Sequence, residues 1–233
     1  MEGKKESSDL AIDIETVGLN WKDLDDEVKK YLLGRAKNEE AREKVPERLA
    51  LNPGTGRIVA IGMWRPKEDE GGVLVEDKAS SSSGWDNFAD GASIYKGTEE
   101  DILKEFWRFL SKSARRLITY NGRSFDGPFL MLRSAILGIQ PTRNFVPYRY
   151  NFNRHCDLAE VVSFYGARGL ESLDFWCRQT GIESPKGEME GAGVKDEYEQ
   201  GNMEKIANYC LGDAEATAKL YNVLEPIIRM MDN

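Results

Sequence analysis

The alternation of apolar and polar positions predicts a succession of short elements. "DLAIDI" reads as a strand. From Trp21 to Ala50 charges dominate, as in "DLDDEVKKYLLGRAKNEEAREKV", and few apolar positions interrupt them, so this stretch is expected to be a solvated helical insertion. "NPGTG" is a turn, and "RIVAIGMW", β-branched and apolar, is a buried strand. A second turn, "KEDEGG", leads to a short third strand, "GVLVED", and "KASSSSGWDNFADG" reads as a low-complexity loop. Thr98 then opens a helix with Asp101 as its capping-box partner; Ile102, Leu103, Phe106, Trp107 and Leu110 form the apolar face. "RRLITY" is the next strand. "SFDGPFLMLRSAILG" is helical after Pro128 and stops at Gly138. An aromatic and basic connection, "PTRNFVPYRYNFNRHC", ends in a strand before Asp157. Helices are expected over 157–165 and 169–180, then a Gly-rich, flexible-looking loop, "GIESPKGEMEGAG". A long helix follows from about Asn202 to Met230, with a bend near Gly212 or Pro226. Early strands followed by mixed strands and helices imply an α/β or α+β sheet with helical cover.

Composition narrows the functional classes. Hydrophobic residues make up 40% of 233, enough for a sizeable core. A net charge of −8 argues against a broad basic face gripping duplex nucleic acid, though not against a local basic patch. The one histidine, His155, excludes mechanisms that need two; beside Cys156 and Asp157 it reads as structural, with Asp157 and Glu160 forming a capping box. Asp157 also stands as a candidate supporting residue behind a site. Three widely spaced cysteines, Cys156, Cys177 and Cys210, suit reduced core thiols. The leader "MEGKKESSD" has no apolar core of a signal peptide, and no apolar run reaches membrane-spanning length, so a cytoplasmic location is expected. Residues 1–8 read as a disordered tail and 9–230 as one domain, with the charged insertion at about 20–55.

Two acids interrupt the first strand. Asp13 and Glu15 are two apart, so both leave the same face. Two like charges held together raise each other's pKa unless a cation neutralises them. Alternatively, that face is solvent-exposed at a sheet edge. Asp126 follows "RRLITY" where a strand ends and a helix begins, which suits either a site at the strand's C-terminal edge or a helix N-cap. In "NYCLGDAEATAKLY", Tyr209 and Asp213 are four apart on one face of the long helix, which an ordinary amphipathic surface would also produce. Four carboxylates and a phenol converging would suit hard divalent cations, which take oxygen ligands. A pair of them clamps in-line attack on a phosphodiester without a histidine.

"DIET", "NGRSFDGPFL" and "YCLGD" together resemble the three motifs of the DEDDy 3′→5′ exonucleases, most of all the proofreading domains of B-family DNA polymerases and the stand-alone exonucleases like them. "RHCDLAEVVSFYG", "SLDFW" and "GAGVKDEYEQGNMEKIANYC" extend the resemblance over roughly 9–225. It implies an α/β, ribonuclease-H-like fold: a mixed five-stranded sheet, three antiparallel strands then two parallel, with helices on both faces. It also implies two Mg²⁺ or Mn²⁺ ions. Asp13 would bridge both ions, Glu15 and Asp213 would complete the water-activating site, and Asp126 would hold the second ion through water. Tyr209 would orient the attacking water. Thr16 would offer its backbone N–H to the terminal 3′-hydroxyl, Leu19 would wedge beside the last base, and Asn121 would contact substrate. Phe125 would stack on a base or fill the core. The 20–55 connection is longer and more charged than a compact proofreading domain needs, and is read either as a cover or partner surface or as solvated decoration.

From Arg115 to Arg154 there are seven arginines and one acid, a local +6 against −14 elsewhere. Aromatics are interleaved, a composition suited to single-stranded nucleic acid. The alternative is a loop with buried rings and arginines paired to acids. Arg123, Arg143, Arg149 and Arg154 are the phosphate candidates, with Lys195 behind them. The resemblance favours single-stranded DNA 3′ ends as substrate over RNA. A non-catalytic nucleic-acid-binding module, or a nuclease subunit active only inside an assembly, are the alternatives.

Overall fold

A computed structural model describes residues 8–77, 84–184 and 191–232. Seven strands form one sheet in the order β4-β5-β3-β2-β1-β6-β7. At its centre β1 (Ser8–Gly18) pairs antiparallel with β2 (Gly56–Arg65), which pairs antiparallel with β3 (Glu70–Glu76). On its other side β1 pairs parallel with β6 (Ala114–Thr119), and β6 with β7 (His155–Asp157). Those five strands are the expected sheet. The correction is a hairpin of two more added beyond β3: β4 (Trp85–Ala89) lies within the stretch read as a loop, and β5 (Ala92–Gly97) directly follows it. The Ser-rich residues 78–83 and the leader residues 1–7 lie outside the described residues, and Ser8 already belongs to β1.

Period-two alternation divides β1 between two cores. Leu10, Ile12 and Ile14 face a cluster with helix α3 (Glu99–Ser113) and helix α4 (Asp126–Ile136). Ala11 and Val17 face the opposite cluster, built on helix α8 (Met203–Met231). Asp13 and Glu15 share the α8 face by the same alternation. The capping box that starts α3 forms as expected between Thr98 and Asp101. Helix α4 starts two residues earlier than the sequence suggests, and Pro128 lies in its first turn, where a missing N–H leaves no helical bond unmade. Helix α8 runs unbroken through Gly212 and Pro226.

Three expected helices shrink. The insertion holds only α1 (Asp26–Gly34) and α2 (Glu39–Glu43), neither with a buried residue. It ends in a 3-10 turn, Pro46–Leu51, whose Leu49 is buried at the end of β1. A Cβ on Gly18 would sit 2.8 Å from the Leu49 Cβ, so this glycine admits the turn. After β7, α5 spans only Leu158–Val162 and α6 only Leu173–Thr180; α7 (Val194–Glu199) precedes α8. Residues 185–190 of the expected flexible loop lie outside the described residues. Among the described residues no helix is long and apolar enough to cross a membrane.

Candidate active site

The middle of β1 and the N-terminal half of α8 meet at an acidic centre. Carboxylate oxygens of Asp13, Glu15 and Asp213 all lie within 4.8 Å of one another. The approach depends on a position the sequence did not mark. Gly62 of β2 is the register partner of Asp13, and a Cβ there would meet the Cys210 carbonyl oxygen at 2.3 Å. Only a bare backbone lets α8 come this close. The Gly62 N–H donates to Cys210 Sγ at 3.1 Å, and that thiol lies 3.5 Å from the Asp13 carbonyl and 3.8 Å from Asp13 Oδ2. Cys210 is thus the core thiol expected, fully buried, but it is also the joint between the helix and the first acid. A register shift between Glu15 and Thr16 is a bulge of the kind that re-aims side chains beside active sites.

Asp126 completes the acidic set without joining the tight group. Its buried carboxylate lies beside the backbone of Ile14, the residue between the two acids of β1. It is the first residue of α4 and does not serve as the N-cap. Burial pushes Asp126 up to about 7, and Asp157 and Asp213 add to the rise. Asp13 and Glu15 are held well above the usual carboxylate range, by burial first and then by Asp213 and Asp126. Tyr209 is half-buried one helical turn before Asp213; burial and then the Asp213, Glu15 and Asp13 carboxylates push its phenol upward, so it keeps its proton.

The loop carrying "NGRSFDG" is fixed residue by residue. Asn121 adopts a left-handed backbone (φ 64°), which asparagine tolerates, and its side chain is exposed. Gly122 lies against Thr119, where a Cβ would come within 2.5 Å. Asp157 holds the loop from below: its carboxylate accepts the N–H groups of Asn121 (2.7 Å), Arg123 (2.8 Å) and Ala159 (3.1 Å). Asp157 therefore caps α5, but the expected capping box with Glu160 does not form, because Glu160 turns to Arg123 and Arg149. His155 is structural as expected, buried against Thr119 Oγ1 at 2.8 Å and pushed down to about 4 by burial.

The other sequence candidates divide. The Thr16 hydroxyl donates to the Ala50 carbonyl at 2.8 Å and the Leu19 N–H to Thr55 at 2.8 Å, which ties the end of the insertion to the first motif. Phe125 is half-buried, its ring 5.5 Å from Phe129 in the α4 cluster. The arginines of 115–154 mostly have partners within the fold: Arg115 with Asp9, Arg116 with the Tyr221 hydroxyl, Arg123 and Arg149 with Glu160, Arg133 with Glu99, and Arg143 with the carbonyls of Ala114 and Arg115. This is the alternative arrangement for most of that segment, and Arg123 in particular is engaged rather than free. Arg154 is exposed, and Lys195 is exposed on α7, 3.8 Å from Glu199. A groove of about 450 Å³ on the α3 side, lined in part by Trp85, Phe109, Arg65 and Arg108, holds no acidic cluster, and its two arginines are paired with Glu70 and Glu105.

Four acids, Glu15 and Asp126 buried and Asp13 and Asp213 half-buried, make an all-oxygen donor set that fits hard divalent cations. Fold and site thus define an α/β, ribonuclease-H-like domain with an acidic centre able to hold metal. The chain belongs to the family described as predicted 3′-5′ exonucleases related to the exonuclease domain of PolB, which matches residues 57–232 and so includes Asp126, Tyr209 and Asp213. The family B DNA polymerase from the hyperthermophilic archaeon Pyrobaculum calidifontis has the same fold over 94% of this chain, with a TM-score of 0.61 and 17% identity. The chain spans about a quarter of that polymerase, 24% of its length.

Proposed function

We propose that this chain is a divalent-metal-dependent 3′→5′ exonuclease that releases 5′-mononucleotides from single-stranded DNA ends. The observation that carries the reading is the convergence of Asp13, Glu15 and Asp213 on one another, with Asp126 beside them. Asp13, Glu15 and Asp213 would hold one ion and Asp13 would share a second, with Asp126, outside that tight group, reaching it through water. Bound there, Mg²⁺ or Mn²⁺ would activate water and take up charge on the leaving oxygen. Tyr209, which keeps its proton beside Asp213, would aim a water through a hydrogen bond at its phenol oxygen rather than act as a base. The exposed Asn121, on a loop that Asp157 clamps, suits contact with the terminal nucleotide, and Thr16 and Leu19 flank the same end of β1.

The experiment incubates the protein with 3′- and 5′-labelled oligonucleotides of DNA and of matching RNA, with Mn²⁺ or chelator. Stepwise shortening of DNA from the 3′ end, absent with chelator and in Asp13→Ala, is the expected result. Faster loss of RNA would move the substrate to RNA, and an intact product under every metal would end the nuclease reading.

A further inference from the structure

Of the aromatic rings in the aromatic and basic connection, two are consumed by the fold and two remain exposed on either side of Arg149. Phe145 and Phe152 are buried, whereas Tyr148 is 73% and Tyr150 54% exposed. These two rings are not loose. Their centroids lie 5.7 Å apart, and Tyr150 lies 4.7 Å from Tyr165, which stacks on buried Phe152 at 5.8 Å. The Arg149 guanidinium sits over Tyr150 at 5.5 Å and over Tyr165 at 5.8 Å. The base of the ladder is itself strained into place: Tyr165 has φ 57° and Phe164, 52% exposed, has φ 50°, a conformation that bulky side chains rarely adopt.

The ladder is joined directly to the acidic centre's own loop. Arg123 donates to the Pro147 carbonyl, the residue before Tyr148, at 2.6 Å. It also meets Glu160 at 3.1 Å, and Glu160 holds Arg149 at 2.7 Å. Because the Arg123 N–H is in turn held by Asp157, one rigid chain of bonds runs from the Asn121 loop to the exposed tyrosines. In a chain of net charge −8, this strip carries two arginines against one glutamate and leaves Tyr148 and Tyr150 exposed.

We propose that Tyr148, Arg149 and Tyr150 form a stacking platform for bases of a single strand of nucleic acid leading to the acidic centre. Ring faces beside a cation suit unpaired bases, whose faces are open, and not a duplex, whose bases are already stacked. The role of Arg123 is then to position the platform rather than to contact phosphate. The assignment rests on the nuclease reading only for where the strand leads; the platform itself binds with or without hydrolysis.

The test uses the full chain with Tyr148→Ala/Tyr150→Ala and Tyr148→Phe/Tyr150→Phe, both surface changes. Binding of a fluorescent fifteen-nucleotide single strand is followed by anisotropy in Ca²⁺, and hydrolysis in Mn²⁺ on the fifteen-mer and on a dinucleotide. Stacking of one base on an aromatic ring is worth about 1–3 kcal/mol, so the alanine pair should weaken fifteen-mer binding at least tenfold, roughly the lower end of that range. The phenylalanine pair should restore it, and the kinetic advantage of the fifteen-mer over the dinucleotide should shrink by a similar factor in the alanine pair. Unchanged binding in the alanine pair, or equal losses on long and short substrates, would overturn the platform. If neither metal supports hydrolysis yet the alanine pair still loses the fifteen-mer, the platform stands and the nuclease reading falls. If the parent protein binds no single strand, both fall.

Discussion

Glu99 and Asp13 are both acids on secondary structure that faces a core, and they live under opposite rules. Glu99, 4% exposed at the start of α3, receives Arg133 through two bonds of 2.9 and 2.7 Å and the N–H of Ile58 at 2.8 Å, with Arg57 nearby. Every oxygen is matched by a donor, and the pair ties α3 to α4 and β2. Asp13 and Glu15, on the other side of the sheet, face Asp213 and Asp126, and Asp13 Oδ2 has the Cys210 thiol 3.8 Å away. A buried acid matched by an arginine is part of the scaffold. A buried acid matched by other acids is an incomplete site that a cation would complete.

The sharpest way to break this contrast is to substitute one acid of each kind. Asp13→Asn should abolish hydrolysis, by roughly a thousandfold, because a metal's stabilisation of charge in the reaction is worth several kcal/mol. The same change removes a like charge, so the metal-free protein should melt no lower than its parent. Glu99→Gln should do the reverse. It leaves the Arg133 guanidinium, 7% exposed, without its anion, and unfolding by denaturant should show a loss of roughly 3–5 kcal/mol. Equal destabilisation by both variants would erase the distinction.

The acidic side should also betray itself in pH dependence. Asp126 is pushed up to about 7, and Asp13 and Glu15 are held well above ordinary carboxylates. With folded values above unfolded ones, the folded chain retains protons that the unfolded chain gives up from about pH 4 upward. The stability these groups allow is therefore complete at low pH and lost as pH rises through about 7. In chelator the melting temperature should fall between about pH 6.5 and pH 8, above the range in which buried His155, held down to about 4, and ordinary surface carboxylates titrate. Mn²⁺ should reverse the fall, with a larger shift at pH 8 than at pH 5. A flat or rising profile in chelator would mean that the carboxylates do not share one low-dielectric site.

How much of this could be read from residue order depends on the range of the physics. The strands β1, β2, β3 and β6 and the cap of α3 announce themselves through alternation and a four-residue capping pattern, which are local. The β4–β5 hairpin does not announce itself, because its strands are short and β4 is largely polar, although Asp90-Gly91, with Gly91 at φ 72°, is a dipeptide that a tight hairpin turn favours. The acids themselves were legible as motifs. Gly62 was not, since its lack of a side chain matters only once α8 lies on it, nearly 150 residues away in the chain at Cys210. The arginines of 115–154 look like phosphate ligands in a line of text. In space Asp9, Glu99 and Glu160 reach most of them first.

Asp157 is the case between the two kinds and gives the smallest expected effect. It has neither an arginine nor a crowd of acids as its main partner, but three backbone N–H donors, and burial raises it to about 6 in spite of them. Both oxygens are in use: Oδ1 takes Asn121 and Ala159, and Oδ2 takes Arg123. An amide in this place must turn its NH₂ toward one of these N–H groups, so Asp157→Asn is not a conservative change here. Leaving one buried donor unmatched costs about 1–3 kcal/mol, and the loss should appear as a lowered denaturation midpoint. Because the freed N–H belongs to the loop that carries Asn121 and leads to Asp126, activity should fall as well, roughly tenfold, as it does when partners behind a metal site are removed. Mn²⁺ affinity should change less than KM, since Asp13, Glu15 and Asp213 stay where β1 and α8 put them. A stable Asp157→Asn variant with normal KM would show that the loop holds its shape without the clamp.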